Sequence, residues 1–392
     1  MEQKNEQDKT EVILGAALNE ELKVDDYIQN VQSNLDDFLY TTLAYPCRGN
    51  YQYNLEEVDT DATYYNVCNY YSGHGNLIYI YGNLRAVRPI CNKENNDHID
   101  VNFVFDCGNF DNNVVFSERE SQKYTNFGFV SHWHRDHVSF YGKLFDYCYK
   151  QNENFKIIAP KVGDKHKINK DVCYKFIKEC MKKKAIIFVE DKEEYKNAPV
   201  FKHHGFELYR VASESNIDND CLILLLNNIL LPGDCNAFPN VLNKKLKYVD
   251  SFVAPHHGLS KTISFSDDKF RMSIFSLDDK DFEKDTNKLK DYVMNNIGVV
   301  VLNKLIEDPN TKEEKNTEVI NGENLIFIED VKDFKKDRAL LYLSKYSSYM
   351  GDKQDLTVSE IKNKIWEAFD MNVGGKSDMV RIKSKSYSEL KF

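Results

Sequence analysis

The sequence predicts an α/β protein, and three observations predict it. Short apolar, β-branched and aromatic runs recur from about residue 66 onward. Segments of helical length lie between some of them. Three of the runs end in His or Asp, at the strand ends where sites assemble in layered α/β folds. Taken in order, residues 11–42 place Val12, Ile13, Leu14, Leu18 and Leu22, then Ile28, Val31, Leu35, Phe38 and Leu39, at helical spacing. Residues 43–65, rich in Tyr, Asp and Asn, predict turns. Strands are predicted at 76–81, 101–105, 127–130, 156–158, 185–189, 207–212, 221–226, 229–231, 251–254, 298–302, 325–328 and 339–344. Helices are predicted at 138–149, 170–184 and 237–247. The resulting organisation is an N-terminal helical extension (1–65), a main domain (66–330) and a polar C-terminal extension (331–392) with a Lys/Ser-rich, partly mobile end.

The chain of 392 residues is long enough for one large domain with appendages. At 42% hydrophobic and 29% charged it has the composition of a folded protein. A formal net charge of −10 excludes general coating of a polyanion but not a local basic patch. Lys161, Lys165, Lys167, Lys170, Lys175, Lys178, Lys182, Lys183 and Lys184 form such a stretch, readable as a phosphate-backbone track or equally as a solvated face. Nine scattered cysteines without Cys-x-x-Cys predict buried thiols in a reducing compartment. The N-terminus lacks an apolar signal core, and no run reaches the roughly 18 apolar residues of a membrane span. A cytoplasmic protein with no membrane association is expected.

The densest chemistry is Ser131–His137, Ser-His-Trp-His-Arg-Asp-His. His132, His134, Asp136 and His137 are four metal-capable side chains within six positions. In an extended segment His132 and His134 share a side, and Asp136 and His137 reach round a turn to a second position. Two further pieces follow. Leu230-Leu231-Pro232-Gly233-Asp234 ends a strand in a carboxylate beside a turn-forming glycine. Ser251-Phe-Val-Ala-Pro255-His256-His257-Gly258 ends another in paired histidines. Imidazole and carboxylate are ligands of Zn²⁺ at catalytic sites.

In this order the three pieces resemble the metallo-β-lactamase-fold hydrolase superfamily. Gly73-His74-Gly75-Asn76, Asp106-Cys107-Gly108, Asn219-Asp220-Cys221-Leu222 and His256-His257-Gly258-Leu259-Ser260 are similar to motifs of one branch, the metallo-hydrolase domain of bacterial competence DNA-uptake channel proteins. The resemblance covers roughly residues 66–305. It implies a four-layer αββα sandwich, flanked here by the two extensions. It further implies two metal sites, with Zn²⁺ expected and Mn²⁺ as the alternative. His132 and His134 match ligands of the first, Asp136 and His137 ligands of the second, and Asp234 the bridging carboxylate. Asp106 matches a supporting position. The last ligand is His256 or His257; His256 comes first after the strand, which leaves His257 to support the site or donate a proton. Asp136 and His257 are the catalytic candidates beyond ligation.

One departure stands out. The superfamily's further first-site histidine should lie in the loop Ser213–Asn219, which holds none. Glu214, Asp218 or Asp220 can substitute as an oxygen ligand, which favours Mn²⁺. The implied activity is hydrolysis by a metal-bound hydroxide, on phosphodiester bonds of a nucleic acid or nucleotide. The alternatives are a lactone, thioester or amide hydrolase on the same scaffold, and a metal-binding component of a multiprotein defence or mobile-element system holding a protein partner through the termini. Trp133, Cys107 and Cys235 read as packing residues. His98, His166, His203 and His204 read as non-ligands, and Arg135 as an anion contact or an ion-pair member.

Overall fold

Two β-sheets packed face to face form the body of the protein. The computed structural model describes residues 11–31, 35–44, 64–70, 72, 75–84, 99–108, 125–203, 205–259, 262–276, 292, 295, 297–302, 369–373 and 379–386. The strands expected at 325–328 and 339–344, and most of the expected turn region 43–65, lie outside these residues. In the first sheet eight strands run in the order Met371–Val373, Met379–Lys383, Tyr64–Tyr70, Leu77–Leu84, Ile99–Cys107, Phe127–Phe129, Lys156–Pro160 and Ile186–Val189. In the second, seven run in the order Ile297–Leu302, Arg271–Ser276, Ser251–Val253, Ile229–Leu231, Cys221–Leu226, Phe206–Val211 and Phe201–His203. Each sheet is part antiparallel and part parallel. The parallel part runs from Ile99–Cys107 to Ile186–Val189 in one and from Ile229–Leu231 to Ile297–Leu302 in the other.

Side-chain alternation splits the apolar residues into two cores. Phe103, Phe105, Phe127, Phe129, Ile158 and Ile187 join residues of the second sheet in the core between the sheets. The Phe103 and Phe127 rings stack there with centroids 4.8 Å apart. Full burial of one such ring is worth roughly 1.5–3 kcal/mol. Val104, Ile157, Ala159, Ile186 and Phe188 point to the opposite face. That face is covered by the helix Tyr141–Gln151, through Tyr141, Leu144, Phe145 and Cys148, and by Lys175–Lys182, through Phe176, Ile177 and Cys180. The latter helix starts from a π turn, Lys170–Tyr174, capped by Asn169, whose Oδ1 accepts from the N–H groups of Asp171 and Val172. The short helices Asn240–Asn243 and Leu246–Tyr248 occupy the predicted 237–247 segment and add Leu242 and Leu246 to the inter-sheet core.

The N-terminal stretch, expected as helix from residue 11, begins as a strand. Glu11–Leu14 pairs antiparallel with Lys167–Asn169. The helices Gly15–Leu22, Val24–Asn30 and Leu35–Ala44 follow. Ile13, Leu18 and Val24 bury into the helix-covered core, and Leu39 and Leu43 into the inter-sheet core. At the other terminus, Met379–Lys383 pairs with Tyr64–Tyr70 inside the first sheet. The adjoining residues tie to the second sheet. The Asn227 side-chain amide donates to Ser384 Oγ (3.2 Å) and Lys385 O (2.8 Å), and Lys385 Nζ lies 2.7 Å from Asp250 Oδ2. Residues on both sides of the predicted main domain therefore complete its sheets and cores. The seven described cysteines are free and buried, and Trp133 is buried with its indole N–H donating to Pro160 O at 2.6 Å.

Candidate metal centre

The Phe127–Phe129 strand lies between two parallel neighbours, so its continuation emerges in the middle of one rim. Ser131 and His132 are fully buried there. His134 keeps an extended backbone as the N-cap of the short helix Arg135–Val138, which carries Asp136 and His137 round the turn. The end of the Ile99–Cys107 strand fixes this loop. Asp106, held at φ 59°, accepts at Oδ1 from Ser131 N–H (2.6 Å) and at Oδ2 from Ser131 O–H (2.8 Å). Asp106 Oδ2 is also 2.7 Å from His137 Nδ1. A Cβ on Gly108 would sit 1.4 Å from the Asp136 carbonyl oxygen, and Asn76 N–H donates to that same oxygen at 3.2 Å. The Asp-Cys-Gly and Gly-Asn pieces thus act as a clasp on the histidine loop.

The second sheet brings the remaining groups to the same rim. Gly233 is at φ 59°, and a Cβ there would lie 2.6 Å from Ser131 Cβ and Oγ; glycine permits both the turn and the approach. Asp234 follows it, with Oδ2 3.4 Å from His132 Nε2 and Oδ1 3.0 Å from His137 Nε2. Pro255–Gly258 forms a tight turn in which His256 (φ 49°) and His257 (φ 56°) are both left-handed. Such a backbone costs of order 1–3 kcal/mol per residue and persists where the surroundings enforce it. A Cβ on Gly258 would meet Phe275 at 2.4 Å. The turn buries His257 fully, with Nε2 3.0 Å from Asp136 Oδ2. His256 stays about a third exposed (34%), its Nδ1 3.7 Å from Asp234 Oδ2 and 3.8 Å from Asp218 Oδ2.

Two groups of potential ligand atoms result, each with all its atoms within 4.8 Å of one another: His132, His134, Asp218 and Asp234, and Asp136, His137 and His257. Ligand atoms of one ion at about 2.1 Å each stand no more than about 4.2 Å apart, so each group would draw in slightly to hold one ion. Asp234 directs one oxygen to each. The structure thus places His257, not His256, beside Asp136 and His137, and leaves His256 at the open edge of the other group.

The loop Ser213–Asn219 answers its missing histidine with Asp218, whose Oδ1 is 3.3 Å from His134 Nδ1. Asp218 stands in the turn Ile217–Asn219, capped by Asn216 Oδ1, which accepts from Asp218 N–H at 2.9 Å. The other two candidates are engaged elsewhere: Glu214 pairs on the surface with Lys165, and Asp220 is buried against Arg210 and His166.

The donor set fits divalent cations. His132 Nε2, His137 Nε2 and both oxygens of Asp234 are buried and make no hydrogen bond among the described residues. Buried polar atoms are nearly always satisfied, and converging imidazole and carboxylate atoms are what a cation satisfies. Asp106 at Nδ1 of His137 leaves Nε2 directed at Asp234, the carboxylate–histidine arrangement that orients a metal-binding imidazole. Burial pushes the His134 pKa down to about 4, helped by the neighbouring His132 against the opposing pull of Asp136, Asp234 and Asp218. His134 is therefore neutral and available as a ligand at pH 7. Burial raises the pKa values of Asp136 and Asp234, but the surrounding histidines outweigh it, so both carboxyls lie well below the ordinary range.

His137 behaves oppositely. Burial disfavours its charge, but Asp234, Asp106 and Asp136 outweigh that and raise its pKa well above the ordinary value. The imidazolium contributes stability that is fully present below about pH 6.5 and is lost as pH rises through the folded value. A cation entering beside His137 must displace that proton. Affinity for Mn²⁺ is expected to rise by up to tenfold per pH unit between about pH 6 and 8, with a proton released. Calorimetry in buffers of different ionisation enthalpy measures that release; a pH-independent affinity without it would contradict this reading.

Five of the nine lysines at 161–184 pair with acids: Lys161 with Asp25, Lys165 with Glu214, Lys175 with Asp171, Lys182 with Glu179 and Lys183 with Asp146. Arg135 is exposed. Gly73, His74, His98 and His204 lie outside the described residues. Among the described residues no helix is long and apolar enough to cross a membrane.

No protein-family model and no curated protein matches this chain. Among solved structures it is similar to the metallo-beta-lactamase fold protein YhfI from Bacillus subtilis, at 11% identity and a TM-score of 0.35, over 62% of this chain and 96% of that one. It is also similar to a diphosphatase of the PhnP family, at 11% identity and a TM-score of 0.33, over 55% of this chain and 87% of that one. The short form of human tRNase Z is a third, at 13% identity and a TM-score of 0.33, over 60% of this chain and 91% of that one. At these values the likenesses carry none of the neighbours' chemistry to this chain.

Proposed function

We propose that this protein is a metal-dependent hydrolase of the metallo-β-lactamase superfamily, acting on phosphodiester bonds of a nucleic acid or nucleotide. The observation that carries the reading is Asp234, buried with one oxygen 3.4 Å from His132 Nε2 and the other 3.0 Å from His137 Nε2. His132, His134, Asp218 and Asp234 would hold one ion, and Asp136, His137, His257 and Asp234 the second. Ions held there supply Lewis-acid activation of water and of the scissile ester.

The chain's own groups supply the rest. Asp136, ionised and 3.0 Å from His257 Nε2, accepts from and orients the attacking water. His256, partly exposed beside Asp218 and Asp234, is placed to give a proton to the leaving oxygen. The buried walls around Ser131, His132 and His257 exclude bulk water from this side of the reacting centre. A site with Asp218 in place of an imidazole is richer in oxygen, which suits Mn²⁺ more than an all-histidine site would. A pair of ions held by these residues would supply charge stabilisation for attack at phosphorus. The branch resemblance of the sequence motifs points the same way. The seven buried free thiols fit a reducing compartment such as the cytoplasm.

The test is turnover of bis-p-nitrophenyl phosphate, single-stranded DNA and a simple lactone with Mn²⁺ or Zn²⁺. Phosphodiester cleavage is expected, falling by roughly 10³-fold or more (about 4 kcal/mol) in Asp136→Ala and His134→Ala while both variants stay folded. Full activity in both would refute the assignment. Turnover of the lactone alone would move the substrate class to carbonyl compounds. No turnover, with stoichiometric metal and a co-purifying protein, would make it a metal-binding component of a larger assembly.

A further inference from the structure

Asp218 is partly exposed on the site side, and its loop is anchored from behind. The loop joins the strands Phe206–Val211 and Cys221–Leu226, which pair up to Val211 and Cys221. At its base Asp220 is buried and takes two partners. Its Oδ1 pairs with the Arg210 guanidinium, and its Oδ2 lies 3.0 Å from His166 Nδ1. Arg210 and His166 are buried as well. On the surface the same two loops meet again, where Lys165 pairs with Glu214.

His166 is in turn held by the N-terminal segment. Gly15 N–H donates to His166 O at 2.6 Å and Ala16 N–H to Asp164 O at 3.0 Å. The Asn19 amide donates to Asp164 Oδ1 at 2.9 Å. Glu11–Leu14 pairs with Lys167–Asn169 on the other side. Gly15 and Gly163 touch backbone to backbone: a Cβ on Gly15 would fall 1.9 Å from Gly163 O, and one on Gly163 would fall 2.9 Å from His166 Nδ1. Two glycines facing each other let the helix Gly15–Leu22 press the loop against His166, and His166 against Asp220.

We propose that the N-terminal segment is a positioning element of the metal centre, acting through Gly15–Gly163 and His166–Asp220–Arg210 to fix the Asp218 carboxylate beside His132 and His134. The proposal rests on the metal-centre reading above. None of these brace residues touches the ion; they set where the turn carrying Asp218 stands, two residues before Asp220. An oxygen ligand on a partly exposed turn is held in register only if its base is fixed, and misplacing such supports typically costs 10–100-fold in metal affinity.

The experiment is titration of the full chain with Mn²⁺, followed by calorimetry and by electron paramagnetic resonance, which distinguishes an exchange-coupled ion pair from a single ion. The wild type is expected to bind two ions and give the coupled signal. Asp218→Asn, His166→Ala and Gly15→Ala are each expected to weaken one ion by about 10–100-fold, leaving a single-ion spectrum at stoichiometric Mn²⁺. His166→Asn, whose amide nitrogen stands near the Nδ1 position that faces Asp220, should recover most of the coupled signal. Thermal melts show that the variants are folded; if His166→Ala does not fold, Gly15→Ala decides. Two ions at wild-type affinity in the folded brace variants, with one lost in Asp218→Asn, would overturn the positioning role and leave the metal centre standing. A wild type that takes up no ion would overturn both.

Discussion

Asp234→Asn is expected to remove both ions at once and to abolish turnover. The side chain is buried, its two oxygens make no hydrogen bond among the described residues, and each faces the imidazole of a different ligand group. An amide of the same shape offers one neutral oxygen, and its nitrogen would point a donor at a position that needs a lone pair. On the proposed two-ion reading both ions would lose a charged ligand, and among the described residues no second carboxylate faces both groups. The loss in turnover should reach roughly 10³-fold or more, about 4 kcal/mol. Fold stability without metal should fall as well, by about 3–5 kcal/mol where His137 is charged, because removing one partner of a buried ion pair leaves the other uncompensated. Metal analysis of the purified variant checks this; retention of two ions would show that Asp234 is not the bridge.

The second large effect is structural in origin. Gly108→Ala would put a methyl group 1.4 Å from the Asp136 carbonyl oxygen, 2.0 Å from its carbon and 2.7 Å from His137 N. All three atoms are backbone, so no rotamer change relieves the clash. The peptide between Asp136 and His137 must move, and both side chains move with it. Overpacking of this kind costs about 1–3 kcal/mol or more, and a displacement of about 1 Å at a reacting group costs on the order of 10²-fold in rate. Lower thermal stability and a weakened ion at the Asp136–His137–His257 group are expected together. Gly142→Ala is the control. It lies in the helix Tyr141–Gln151 with nothing within 4 Å of the added carbon, and should raise stability by roughly 0.5–1 kcal/mol. A melting point unchanged in Gly108→Ala would refute the clasp.

The site was legible in the sequence to the extent that it is local. His132, His134, Asp136 and His137 lie within one loop, and their spacing alone puts them at two positions around a turn. Asp234 was legible because an apolar strand ends at a glycine beside it. His257 was not separable from His256, since both follow the same strand. The choice is made by two successive left-handed residues and by the contact of Gly258 with Phe275. Asp218 was one of three acids in its loop. Only the engagement of Glu214 by Lys165 and of Asp220 by Arg210 and His166 leaves it for the centre.

The same division runs through the fold. Strands with continuous apolar runs, such as Cys221–Leu226, were read directly. Arg271–Ser276 was not, because Arg271, Ser273 and Ser276 interrupt its pattern although all are buried. The Arg271 guanidinium is satisfied by the carbonyls of Val249, Lys269 and Leu246 and by Asp267, a solution that exists only once the chain is folded. Tyr64–Tyr70 and Met379–Lys383 escaped for a related reason: their pairing spans some three hundred residues, and a short polar-flanked segment carries no local mark of a distant partner. By itself, then, the sequence determined the α/β class and the candidate ligand types, because periodicity and side-chain chemistry are properties of neighbours in the chain. The tertiary structure decided which His and which Asp stand with each group of potential ligand atoms, and it built residues 11–31, 35–44 and 379–386 into the body. Those choices depend on distances between residues far apart in sequence, which only packing sets.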